Sequence, residues 1–203
     1  MMIKSTTLYP YVLASACFFS CTVYAFCLLW GNVIIPGIAN LNDDVEVIKA
    51  FQVMDGKIQN NEVTFVTSWL LSVLTVAASG ILAWQTQLKT SDRITVPIAA
   101  ILFMMGHVST ATQNIPLNNR IHNLDIDSAD DYTISELRQE IEGPWQRWNT
   151  FRTIIFGFVS IYYLIVLVNM EKPKKVGSLD ESLNYQDPGE VNSTTTPNFS
   201  RYV

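Results

Sequence analysis

Four stretches without a single Asp, Glu, Lys or Arg divide the chain: Ser5 to Asn42, Val63 to Leu88, Ile94 to Asn119 and Thr153 to Met170. Each can hold the roughly 17–25 residues that a helix needs to cross a bilayer. A water-soluble helix carries one apolar stripe, whereas these segments are apolar nearly all round. In lipid the backbone must satisfy its own hydrogen bonds, and that dictates helix. The sequence therefore reads as all-α, a transmembrane four-helix bundle. Its spans are expected at about 11–33, 63–84, 94–115 and 145–168, the last becoming charge-free at Thr153. Charged residues make up 15% of the chain, against roughly 25% in soluble domains. Tyr9, Tyr11, Trp30, Trp69, Trp84, Trp145 and Trp148 fall near span ends, where amphipathic rings favour the headgroup level.

The formal net charge is -5 and no basic stripe runs along the chain, which argues against nucleic acid as a partner. Membrane lipid is the partner these spans imply. The cysteines, Cys17, Cys21 and Cys27, all lie in the first span. An odd number in lipid is no disulfide framework, and they read as three buried thiols packing as small hydrophobes. The first span exceeds the roughly 7–15 apolar residues of a signal peptide. Val23-Tyr24-Ala25 keeps a cleaved leader as the alternative.

Basic residues in short segments set orientation. Lys4, Lys89, Arg93, Lys172, Lys174 and Lys175 fall on one side of a four-span chain, and the opposite loops are acidic. The expectation is a multi-pass protein with N-in, C-in topology. Residues 1–170 would form the membrane domain and 171–203 a disordered polar tail, too poor in apolar residues to bury a core. The tail holds two glycosylation sequons, at Asn192 and Asn198, idle if it is cytoplasmic. In the first loop, Val47, Ile48, Phe51, Met54 and Ile58 make the stripe of a short amphipathic helix lying on the membrane or over the bundle. Thr133-Ile134-Ser135-Glu136 has the form of a capping box and predicts a short helix from Ile134 to about Ile141. Gly143 should break it, and Pro144 suits the first turn of the next helix.

Polar groups in membrane helices are costly and need a reason. His107, Thr110, Asn114 and Asn118 are spaced by three, four and four, one helical stripe at the end of the third span. Gln113, Asn119 and Arg120 accompany them, and Pro116 should bend or end that helix. Trp145, Trp148, Asn149 and Arg152 form a second stripe at the start of the fourth helix. Both stripes lie on the same side and flank one loop. Together they would build a pocket of amides, one cation and indole walls, suited to a planar aromatic ligand bearing oxygen. The bland alternatives are interfacial anchoring by the indoles, snorkelling by Arg152 and helix glue from the amides. Two histidines and lipid-buried thiols offer no zinc or haem ligand set, and no nucleotide loop or nucleophile elbow is present. No cofactor is expected. No acid lies within a span to carry protons or cations, although a transporter stays open.

Asn114-Ile115-Pro116-Leu117-Asn118-Asn119 and Trp145-x-x-Trp148-Asn149-x-x-Arg152, with Ala50-Phe51-Gln52, Ile58-Gln59-Asn60 and Pro36 as weaker matches, resemble a family of small membrane proteins that includes the fungal anthrone oxygenases. The resemblance runs from about Tyr11 to Val168. Anthrone-oxidising members often have His where this chain has Asn149. The resemblance implies oxidation of an anthrone methylene to a quinone by molecular oxygen, without metal or flavin. Such a site needs a base, donors for an enolate oxygen and a dry pocket. Arg152 and Asn118 would hold the oxyanion, His107 would be the base, and Asn114, Asn119, Trp145, Trp148 and Asn149 would bind the substrate. The alternative is a non-enzymatic membrane protein that binds a lipid or protein partner through the same pocket.

Overall fold

The computed structural model describes residues 5–59, 62–86 and 88–170. The tail, with its expected disorder and its sequons, lies outside the described residues. Within 5–170 every regular element is helical: α1 (Ser5–Leu29), α2 (Ile35–Ala39), α3 (Asp44–Gln59), α4 (Val63–Gln85), α5 (Thr90–Ser109), α6 (Ile115–His122), α7 (Asp131–Glu140) and α8 (Gln146–Val168). α1, α4, α5 and α8 close into a ring in which α1 packs on α4 and α8, and α5 packs on the same two. Four helices are long and apolar enough to cross a membrane. The chain is a multi-pass integral membrane protein.

The bundle closes on small and aromatic side chains. Leu13, Val23, Val76, Val96, Phe103, Phe156 and Tyr163 are fully buried. Gly106 lets α5 and α8 meet, because a Cβ there would stand 2.5 Å from Phe156 Cε1. α1 contributes core residues along its length, so the first span is an integral wall of the bundle. Cys17 and Cys27 are buried as expected, but Cys21 is exposed: it lies on the outward face of α1, where apolar side chains meet lipid. Serine and threonine hydroxyls in α4 and α5 fold back on their own helices, as in Ser68 to Thr64 O (2.7 Å) and Thr75 to Leu71 O (2.6 Å). That satisfies them without a partner helix.

Three of the four long helices outrun a bilayer. The continuous helical stretch Thr90–His122 has 33 residues, roughly 50 Å at 1.5 Å per residue, against a hydrocarbon core of about 30 Å. The surplus ends, α2, α6 and α7, gather with α3 into a cap over one end of the bundle. The cap has its own apolar core of Ile35, Ile38, Ile48, Phe51, Ile121, Ile134, Leu137, Ile141 and Trp145. Its rim is ionic. Arg138 joins Asp44 (2.7 Å), Glu142 (2.8 Å) and the carbonyl of Ala39 (2.9 Å), and Arg120 grips Glu136 and Glu140. Gln52 donates to the carbonyls of Ile121 and Leu124 at the end of α6. The first-loop helix thus seats over the bundle rather than on the membrane surface.

Pro116 does not end its helix, and Gly143, expected to break the helix before Pro144, does not. A single wide turn, Thr110–Asn114, lies just before Pro116, another, Ile141–Trp145, contains Gly143-Pro144, and a third, Trp30–Ile34, precedes Pro36. In the first and third spans the i→i−5 bond is explicit, Ile35 N–H to Trp30 O and Ile115 N–H to Thr110 O. A proline ring clashes with the carbonyl of the preceding turn and lacks a donor, so the helix widens there and carries on. The start of α7 also shifts. Asp130, not Thr133, is the N-cap, and its carboxylate accepts from Thr133 N–H at 2.7 Å. An Asp side chain is as good a cap as Thr and catches the helix three residues earlier. That backbone bond holds the Asp130 carboxyl below the usual carboxylate range.

Candidate functional site

The three widened turns lie at the seam between bundle and cap, and each lends a wall to one cavity of about 490 Å³. The turns supply Trp30, Thr110, Asn114 and Trp145. α1 and α4 supply Phe26, Cys27, Phe65, Val66 and Trp69, the cap helices Asp55, Ile58, Ile115, Asn118 and Asn119, and α8 the guanidinium of Arg152. Rings dominate. Trp145 stands 5.9 Å from both Trp30 and Phe51, centroid to centroid, and Phe65 stands 5.5 Å from Trp69.

The amide and indole groups of the seam are held by neighbouring elements. Pro36 has no N–H, and Ile35 N–H is used by Trp30, so the carbonyl of Gly31 loses its helical donor. Gln146 Nε2 donates to it at 2.6 Å. Asn114 Nδ2 donates to the carbonyl of Trp145 at 3.3 Å. Trp145 Nε1 donates to Asn118 Oδ1 at 2.8 Å, and Asn118 Nδ2 donates to Asp55 Oδ1 at 2.9 Å. These links run from the wide turn before α8 through α6 to α3 and fix both carboxamide orientations.

Arg152 is the pole of the site. Its Nε and Nη2 both donate to Asn149 Oδ1, at 3.1 and 2.8 Å, and Nη1 donates to Thr110 Oγ1 at 3.1 Å. The guanidinium carbon lies 5.5 Å from the Trp145 ring centre, a cation–π distance. Among the described residues it makes no ion pair. An arginine has five N–H donors; three make the bonds above, and the Cys27 thiol also interacts with the guanidinium. Asn149 is itself fixed by donating to the carbonyl of Cys27 at 3.1 Å. Two cavity atoms, Asn114 Oδ1 and Trp69 Nε1, are buried with no hydrogen-bond partner among the described residues. A buried acceptor and a buried donor left unmatched cost about 1–3 kcal/mol each.

The structure brings Asn114, Asn118, Asn119, Trp145 and Arg152 to one cavity, with Asn149 behind Arg152 as its support. It does not bring His107 or Trp148 there. His107 sits deeper in the bundle, ringed by Trp69, Phe103 and Phe156 at 4.9, 4.9 and 5.1 Å, with Nε2 3.4 Å from Ser72 Oγ. Thr110, one turn nearer the cap on the same stripe, does line the cavity, so depth is what separates them: His107 lies about one helical turn, roughly 5 Å, further into the bundle. Trp148 is 38% exposed and packs edge-on against Phe151 at 5.7 Å. It stands about 100° around the helix from Asn149. Sequence reasoning missed Phe26, Trp30, Phe65, Trp69 and Asp55. Asp55 had a signal, since it is four residues after Phe51 and three before Ile58, on the apolar stripe itself.

A four-helix membrane protein with an aromatic, amide-lined cavity around one buried cation is the class that fold and site define. The chain belongs to the anthrone oxygenase family, whose model matches residues 59–161, half of its length. The match takes in the Asn-Pro-Asn and Trp/Asn/Arg segments and leaves out Pro36, Ala50-Phe51-Gln52, all of α1 and all of α3 but its last residue, Gln59. No curated protein and no solved structure gives a significant match.

Proposed function

We propose that the protein is a cofactor-independent oxygenase of a polyaromatic ketone of the anthrone type, bound at the seam cavity with its oxygen on Arg152. The observation that supports this most is a buried guanidinium without an ion-pair partner among the described residues, set among indole and phenyl rings. An anthrone methylene lies between two aryl rings and opposite a carbonyl. Losing a proton there places negative charge on the carbonyl oxygen, and fixed donors in a dry site stabilise such an oxyanion. Trp30, Trp69 and Trp145 would hold the ring plane. The electron-rich enolate then reacts with molecular oxygen, giving quinone and water.

Purified protein in lipid nanodiscs should convert a hydroxylated anthrone to its quinone faster than empty discs. Arg152→Lys should lower the enzyme-dependent rate about 10²–10³-fold, since an ammonium lacks the planar donor fork. A second reading, binding of a lipid or partner without chemistry, is favoured by Asn149, where oxidising members often have His. It would be supported if the quinone quenched tryptophan fluorescence while wild-type discs oxidised no faster than empty ones. The basic residues further support an orientation with both termini in the cytoplasm and the cap on the far side. A tag after Val203 should be reached by antibody only after permeabilisation, and glycans at Asn192 or Asn198 would refute that orientation.

A further inference from the structure

The geometry points to Asp55 as the proton acceptor of this site, an inference that rests on the oxygenase reading above. A base is required, and His107 does not line the cavity. Asp55 does, on the last turns of α3, and it is 4% exposed. A carboxylate on the buried face of an amphipathic helix is costly to place there. Its neighbours hold it in position. Asn118 Nδ2 donates to Oδ1 at 2.9 Å, and Asn118 is fixed in turn by the Trp145 indole N–H at 2.8 Å. Trp145 also carries the cation–π contact with Arg152. Acid and cation are therefore linked through one wall of the same cavity, Asp55–Asn118–Trp145–Arg152, and a planar substrate lying on that wall meets both. An aspartate base opposed by an oxyanion site is sufficient for enolisation in ketosteroid isomerase.

The step balances. A carboxylate oxygen of Asp55 takes one methylene proton, so C–H breaks, O–H forms, and the electron pair moves to the carbonyl oxygen facing Arg152. The carbanionic carbon bonds to molecular oxygen, and the proton on Asp55 returns to the distal oxygen, giving a hydroperoxide. Asp55 then takes the second proton from that carbon, the new carbonyl forms, the O–O bond breaks, and the departing hydroxide gains that proton and leaves as water. The substrate is oxidised, molecular oxygen is reduced, and the carboxylate is regenerated.

The first step can be read without oxygen. Under anaerobic conditions in deuterated buffer, wild-type nanodiscs should speed deuterium exchange into the methylene of a hydroxylated anthrone over empty discs. Asp55→Asn should bring exchange and aerobic turnover down by 10²–10⁴-fold, while quinone binding, read by tryptophan quenching, stays within about threefold of wild type. Asp55→Glu should recover part of the exchange, and this guards against Asp55→Asn failing by misfolding. Exchange by Asp55→Asn at the wild-type rate, or by neither Asp55→Glu nor Asp55→Asn when both bind quinone normally, overturns the assignment and leaves the oxygenase reading standing. Wild-type protein that binds quinone yet neither exchanges nor oxidises the anthrone removes that reading, and this inference with it.

Discussion

The bundle and its cap solve the same problem, buried polar groups, in opposite ways. In the bundle, hydroxyls bond to carbonyls three or four residues back on their own helix, as Ser68, Ser72, Thr75, Ser79 and Ser109 do. In the cap, a hydrophobic core sits under ion pairs of Arg120 and Arg138, the arrangement of a protein in water. At the seam Thr110 still folds back on Gly106 O, but the amides follow neither rule. Amides reach across helices, and Asn114 Oδ1 and Trp69 Nε1 stay unmatched.

The largest effect that would break this contrast is in the cap. Phe51 is fully buried and packs on Trp30 and Trp145 at 6.0 and 5.9 Å. Phe51→Ala should destabilise the cap by about 3–5 kcal/mol, with faster amide exchange in α3 and α7, weaker quinone binding, and unchanged protection in α4 and α5. Loss of protection throughout would show that cap and bundle unfold as one unit. A smaller effect sharpens the seam. A Cβ on Gly31 would stand 2.5 Å from Asn149 Nδ2, so Gly31→Ala must displace the amide that orients Arg152. It should cost about 1–3 kcal/mol in detergent melting and lower turnover more than binding. Unchanged turnover would detach Asn149 from the site. The smallest effect is Trp148→Ala, outside the cavity. Stability should move by no more than about 0.5 kcal/mol, with turnover within about twofold, and a large loss would mean that the second stripe reaches the substrate whole.

The spans were legible because charge is absent from them and lipid admits only helix. The cap helix was legible as a stripe from Val47 to Ile58. The wide turns were not. Ile-Pro reads equally as a stop, a kink or a widened turn, and only the tertiary packing around Trp30, Asn114 and Trp145 selects the last. Thr110, Asn114 and Asn118 fell on the cavity as their stripe suggested, while His107, one turn deeper on it, met Trp69, Phe103 and Phe156 instead, because spacing gives a face and not a depth. Arg152 and Asn149 follow their turn on regular helix, so their three-residue spacing survived. Phe26, Trp30, Phe65 and Trp69 come from helices distant in sequence, where an aromatic residue is indistinguishable from a lipid-facing one. Asp55 was hidden among acidic loop residues until its register on the apolar stripe is counted.

The claim that the seam cavity holds a polyaromatic ketone by its oxygen is tested most directly by an experimental structure in nanodiscs with an anthraquinone bound. The expected result is the ring system between Trp30, Trp69 and Trp145, with one quinone oxygen about 3 Å from a terminal nitrogen of Arg152 and Asn149 still supporting the guanidinium. A lipid tail in the cavity with the quinone elsewhere, or Arg152 turned away toward headgroups, would contradict it.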